Sequence, residues 1–121
     1  MEITEQNYVE KAEQVINELR KKRDLTTTKL RNLLSMTADI YNAALAERDE
    51  KLSAEVCSRI EYLRVRFLYE AGREKAVEEL VRKADILNML KEIKGSRKRF
   101  ILFNRYMEAL VAFHRYYGGK D

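Results

Sequence analysis

No proline interrupts the 121 residues and only 4 glycines do, so the chain lacks most of the residues that force turns or break helices. Apolar side chains meanwhile recur at helical spacing from end to end, and nowhere does a period of two persist long enough to propose a strand. Both observations predict an all-α fold, a compact bundle of about five amphipathic helices forming a single domain over residues 1–121. Tyr8, Ala12, Val15, Ile16 and Leu19 share one helical face behind Thr4 as N-cap, which predicts a first helix from about Glu5 to Lys22. Leu25-Thr26-Thr27-Thr28-Lys29-Leu30 reads as the next helix start, with Thr26 as N-cap and Leu25 stapled on Leu30. Its core face is Leu30, Leu33, Leu34, Thr37, Tyr41, Ala44 and Leu45, ending near Ala46 to Arg48.

Ser53 caps a third helix that buries Val56, Ile60, Leu63 and Phe67 and ends at Gly72 in a left-handed C′ residue. A fourth buries Ala76, Val77, Leu80, Val81, Ala84, Leu87 and Leu90. Gly95-Ser96 then supplies a C′ glycine and an N-cap back to back. The last helix carries Phe100, Phe103, Met107, Leu110, Val111, His114 and Tyr117 inward and stops at Gly118-Gly119.

Chemistry-bearing residues are sparse. Hydrolysis and group transfer need a nucleophile with its base, paired carboxylates or a metal. His114 is the only histidine and lies on an apolar stripe, where a hydrogen-bonded core imidazole is the expected role rather than a general base. Cys57, the only cysteine, sits mid-helix beside Val56 and Ile60 as a small packing residue, and with His114 alone it cannot complete a four-ligand zinc site. The acid pairs Asp49-Glu50 and Glu78-Glu79 read as solvated helix faces in the absence of any Glu-x-x-His pair. The reading is therefore a non-enzyme with no cofactor and no metal. No apolar run nears the roughly 20 residues of a bilayer span, and the start of the chain lacks a secretory pattern, so a cytoplasmic protein without a membrane partner is expected.

Charge is more informative. The formal net charge is +4. Residues 1–50 carry 8 Lys and Arg against 10 Asp and Glu, whereas residues 51–121 carry 16 against 10. From Lys91 to Arg105, Lys91, Lys94, Arg97, Lys98, Arg99 and Arg105 face only Glu92. Cations at a helix N-terminus oppose the macrodipole, and an anion docked at the helix start of Arg97, Lys98 and Arg99 would offset that cost; the plain alternative is an exposed first turn. Arg59, Tyr62, Arg66, Tyr69 and Arg73 fall on one helical stripe, where guanidinium groups suit phosphates and phenols suit unpaired bases. The plain alternative is that the tyrosines widen the core while Arg59–Glu55 and Arg66–Glu70 form surface pairs. Lys29 and Arg31 flank a threonine-rich helix start with amides available to an anion. The cluster Arg20-Lys21-Lys22-Arg23 is discounted, because cations are favoured at the C-terminal turn of a helix.

Two stretches resemble a known family: Leu25-Thr26-Thr27-Thr28-Lys29-Leu30-Arg31-Asn32-Leu33-Leu34-Ser35-Met36, and Arg105-Tyr106-Met107-Glu108-Ala109-Leu110-Val111-Ala112-Phe113-His114-Arg115-Tyr116-Tyr117-Gly118-Gly119-Lys120-Asp121. Both are similar to the small subunit of type III-A (Csm) CRISPR effector complexes, in which the first pattern opens the second helix and the second ends the chain. The resemblance implies an antiviral-defence protein without catalytic activity, stacked in several copies along guide RNA and target RNA beside the backbone subunits and the large signalling subunit. It implies contact with RNA phosphates without sequence readout, and charge placement assigns that contact to Lys29, Arg31, Arg59, Arg66, Lys94, Arg97, Lys98, Arg99 and Arg105. Contact is expected from the Lys94 to Arg105 region and the third helix rather than from the Tyr117 to Asp121 tail. Two competing readings are a helical adaptor that binds only proteins, anchored by Tyr106, Phe113 and Tyr116, and a carboxylate metalloenzyme bundle.

Overall fold

A computed structural model describes residues 1–121 throughout. It is all-helical, with α1 Tyr8–Leu19, α2 Thr27–Ser35, α3 Ala38–Ala46, α4 Ala54–Arg73, α5 Lys75–Lys83, α6 Ile86–Glu92 and α7 Arg97–Tyr116. Seven helices stand where about five were expected, because two of the predicted helices each divide. The caps at Thr26, Ser53 and Ser96 form as read, each hydroxyl accepting the amide three residues on, from Lys29, Val56 and Arg99. Thr4 accepts from Gln6 and Asn7 and so caps an introductory turn, with α1 beginning at Tyr8.

The second predicted helix breaks at Thr37. Its Oγ1 lies 2.7 Å from the Leu34 carbonyl and 2.5 Å from Asn104 Oδ1 on α7, and its amide bonds Leu34 rather than the residue four back. A threonine that bonds its own preceding turn competes with the helix ladder. The single hydroxyl proton of Thr37 is shared between these two acceptors, and Asn104 is within its reach only because the break faces α7. Helical phase restarts after it, which turns Ile40 inward and leaves Leu45, expected in the core, 43% exposed.

The fourth predicted helix divides at Asp85, whose φ of 59° is left-handed, a region Asp enters at lower cost than most residues. The break frees the Ala84 carbonyl, and Tyr106 Oη donates to it at 3.0 Å. Burial of Tyr106 pushes its phenol well above the ordinary tyrosine range, with the Asp85 carboxylate adding to the shift. Gly72 does not end α4 in a left-handed residue as expected. The helix continues to Arg73, and extended Glu74 makes the corner, its carboxylate 2.8 Å from Lys29 Nζ. Gly95 does adopt the left-handed form, at φ 77°.

Helix α7 is the axis. It packs against α1, α2 and α3, while α4 lies on α3, α5 and α6. The two groups share one core of 28 buried apolar residues, bridged where the rings of Phe67 and Phe103 meet edge to face at 6.4 Å. Removing the phenol oxygen in Tyr106→Phe leaves the Ala84 carbonyl buried without a donor. Urea unfolding should register a loss of about 1–3 kcal/mol with circular dichroism unchanged; an unaltered midpoint would show that water replaces the bond.

Candidate nucleic-acid interface

Of the nine cations assigned to phosphate contact, four have partners within the protein. Arg97 Nε donates to the Ala44 carbonyl at 2.9 Å and its Nη2 to Leu45 at 3.2 Å, closing the C-terminus of α3. Arg99 Nη1 donates to the Glu92 carbonyl at 2.9 Å, closing α6. These guanidiniums sit at negative helix ends, which explains them without a ligand. Lys29 bonds the Asp24 carbonyl and Glu74, each at 2.8 Å, and Lys94 lies 3.4 Å from Glu92.

The N-terminus of α7 is also already supplied with an anion. Ser96 Oγ donates to Glu50 Oε1 at 2.8 Å and the Arg97 amide to the Glu50 carbonyl at 2.8 Å. Glu50 therefore supplies, from within the protein, an anion at that helix start. On the same connection Ser53 donates through its amide and hydroxyl to Glu47, which holds that carboxyl below the usual carboxylate range. The loop 47–53 thus ties α3, α4 and α7 at one end.

Five candidates keep no side-chain partner: Arg31, Lys98 and Arg105 project into solvent, while Arg59 and Arg66 border a groove of about 330 Å³ between α4 and the α2–α3 break, shared with Asp39 and Tyr62. The pairs Arg59–Glu55 and Arg66–Glu70 do not form. Glu70 instead lies 3.5 Å from Arg73. Neither do the tyrosines of α4 widen the core. Tyr62, Val65, Leu68 and Tyr69 are each half or more exposed and form an apolar outer ridge opposite the buried stripe. Of the three anchors expected for an adaptor, Tyr106 is fully buried, Phe113 is half-buried and Tyr116 is 81% exposed. Nowhere do three His, Cys, Asp or Glu side chains converge as a metal site would need, and no helix is long and apolar enough to cross a membrane.

His114 is a hydrogen-bonded core imidazole. Nδ1 lies 2.7 Å from Thr27 Oγ1 and Nε2 3.1 Å from the Leu25 carbonyl, so Nε2 carries the proton and Thr27 donates to Nδ1. The Thr27 amide donates to the Lys120 carbonyl at 2.7 Å and the Gly119 amide to the His114 carbonyl at 2.8 Å. The two stretches that carry the family resemblance therefore fold against each other around one imidazole. Sequence reasoning missed this tie, since no local pattern records a contact across 87 residues. At Gly119 any Cβ would collide with the His114 ring and carbonyl. Gly119→Ala should therefore release the tail and cost about 1–3 kcal/mol of unfolding free energy, lost with the Thr27–Lys120 bond; wild-type stability would show that the tail is not held this way.

Burial lowers the His114 pKa below its ordinary 6.5, the Leu25 carbonyl only partly offsetting the effect. Below about pH 6.5 the unfolded chain then takes up a proton that the folded chain resists, so stability is full above that pH and declines as pH falls toward the folded value. Unfolding free energies between pH 7.5 and 5.5 should fall by up to about 1.4 kcal/mol per pH unit. That slope should flatten in His114→Gln, and an equal slope in the variant would assign it to other groups.

Seven helices around one shared core, with exposed cations that form no ion pair, define the class as a small all-helical bundle protein. The profile of the family described as "Csm2 Type III-A" matches residues 2–120. The chain is 46% identical over 123 residues to "CRISPR system Cms protein Csm2" of Streptococcus thermophilus, covering 98% of each. It is 44% identical over 124 residues to the protein of that name from Mycobacterium tuberculosis (strain CDC 1551 / Oshkosh), covering 100% of this chain and 99% of the other. To that of Enterococcus italicus it is 38% identical over 99 residues, covering 80% and 71%. The chain belongs to the Csm2 family, the small subunit of the type III-A CRISPR complex.

Proposed function

We propose that this small subunit is non-catalytic and works in a cytoplasmic ribonucleoprotein, in several copies along guide and target RNA beside the backbone and large signalling subunits. It holds RNA phosphates without reading bases. The observation that carries the RNA contact is that Arg31, Arg59, Arg66, Lys98 and Arg105 keep no ion pair although the chain has 20 acidic residues to offer. Phosphate neutralisation by such groups is sequence-independent and salt-sensitive. Lys29, Lys94, Arg97 and Arg99, assigned above from charge alone, serve the fold first and are secondary candidates.

Because Arg97 and Arg99 close helix ends, reversing them would confound binding with stability. Arg31→Glu, Lys98→Glu and Arg105→Glu avoid this. In the triple variant, affinity for a 20-nucleotide oligouridylate should fall at least tenfold, with equal loss for a mixed-sequence RNA. The slope of log affinity against log salt should shrink by roughly 2, at about 0.7 per single-strand contact. Salt-independent binding, or no change in the variant, would remove the proposal.

The exposed ridge of α4 favours a second reading, an adaptor that docks on proteins through Tyr62, Val65, Leu68 and Tyr69. Under that reading Val65→Asp abolishes subunit association while RNA is neither bound nor protected.

A further inference from the structure

The basic cluster at the end of α1 and the tail after α7, both set aside as contact regions on sequence grounds, meet in space. Arg20, Lys22, Arg23 and Lys120 line one cleft of about 300 Å³, floored by His114 and Tyr117. We infer that this cleft is a second anion site, which takes a phosphate group of a single-stranded nucleic acid between the α1–α2 connection and the 117–120 turn. The inference rests on the RNA reading above but uses none of its nine residues.

Charge balance carries the argument. No Asp or Glu lines the cleft; of the acids beside it, Glu13 accepts from the Tyr117 hydroxyl, Glu79 lies 3.5 Å from Lys22, Asp121 lies 3.3 Å from Arg115, and Asp24 follows Arg23 in the chain. Arg20 has no carboxylate and stacks on Tyr117, its guanidinium carbon 4.6 Å from the ring centre. The side chains of Arg23 and Lys120 make no ion pair or hydrogen bond and are exposed. Arg20, Arg23 and Lys120, none of them in an ion pair, repel each other across a cleft with no acid in its lining, and an anion placed among them relieves that repulsion.

The walls are held in place from inside the protein. The Thr27 amide bonds the Lys120 carbonyl, and His114 bonds both Thr27 and Leu25, so the strand of chain bearing Lys120 is fixed against the one bearing Arg23. Gly118, at φ 81°, makes the turn that brings the tail back. The cleft is thus positioned by the fold and not by the chance approach of mobile lysines. The guanidinium of Arg20, over the Tyr117 ring, makes no hydrogen bond within the protein, so its donors remain free for phosphate oxygens.

Arg23→Glu with Lys120→Glu tests the inference in the full-length chain, since neither side chain supports the fold, and Arg23→Gln with Lys120→Gln provides a milder pair. Titration with a 12-nucleotide oligouridylate should show affinity reduced about tenfold in the Glu pair and less in the Gln pair, with the salt slope smaller by about 1.4 for two lost contacts. In wild type, nuclear magnetic resonance should show the amides of Gly118, Gly119 and Lys120 and the single imidazole of His114 shifting on RNA addition. If inorganic phosphate or a nucleoside diphosphate moves those signals at lower concentration than the oligonucleotide, the cleft serves a small phosphate ligand, and the nucleic-acid assignment is overturned. Unchanged affinity and unmoved signals would remove the site altogether. A loss of RNA binding in Arg31→Glu, Lys98→Glu, Arg105→Glu but not in the cleft variants would sink this inference alone; no loss in either set would sink both.

Discussion

Helix α7 buries Phe100, Phe103, Tyr106, Met107, Leu110 and His114 over an arc wide enough to serve three other helices, and everything else in the fold is placed by reference to it. A narrow stripe would satisfy one neighbour. Here α1, α2 and α3 lie along the same axis, and Phe103 also reaches Phe67 on α4, so the two groups of helices share one core rather than forming separate ones. The polar residues within the arc are what set position along the axis. Apolar surfaces slide at little cost, whereas Asn104 with Thr37, Tyr106 with Ala84, and His114 with Thr27 and Leu25 are each satisfied in only one register.

The same economy governs the charged groups. Arginines near helix ends serve two different purposes that look alike in a sequence. Arg97 and Arg99 cross to the carbonyl ends of α3 and α6, where the partial negative charge of the backbone receives them, while Lys98 between them points to solvent. Glu50, brought from the preceding connection, supplies an anion at the very helix start where an external one would have offset the cost of the cations. Under the proposed RNA contact this leaves a smaller set of free cations, joined by Arg20 and Arg23, which a local helix-end argument had discounted, and by Lys120 of the tail. Arg23 lies beyond the last turn of α1 and gains nothing from its dipole, which is why that argument does not hold for it.

Family membership follows from the whole length of the chain, and the structure adds a physical reason why two separated stretches carry the resemblance. They form opposite walls of one hydrogen-bonded unit around His114. The threonine-rich start serves as a cap through Thr26 and as a buried partner through Thr27, two roles that adjacent residues of one type play on opposite sides of the backbone.

Sequence alone determined the helical class, the caps at Thr26, Ser53 and Ser96, and most of the core, because these depend on periodicity and on bonds spanning three or four residues. It also determined that His114 would be structural. Tertiary structure decided what depends on a partner far along the chain: the breaks at Thr37 and Asp85, the inward turn of Tyr106 and Ile40, the outward turn of Leu45, and which cations stay free. A side chain's helical phase and charge are local properties. Whether a carbonyl or a carboxylate from 50 residues away stands opposite it is not, and that second fact separates a helix-closing arginine from one available to phosphate.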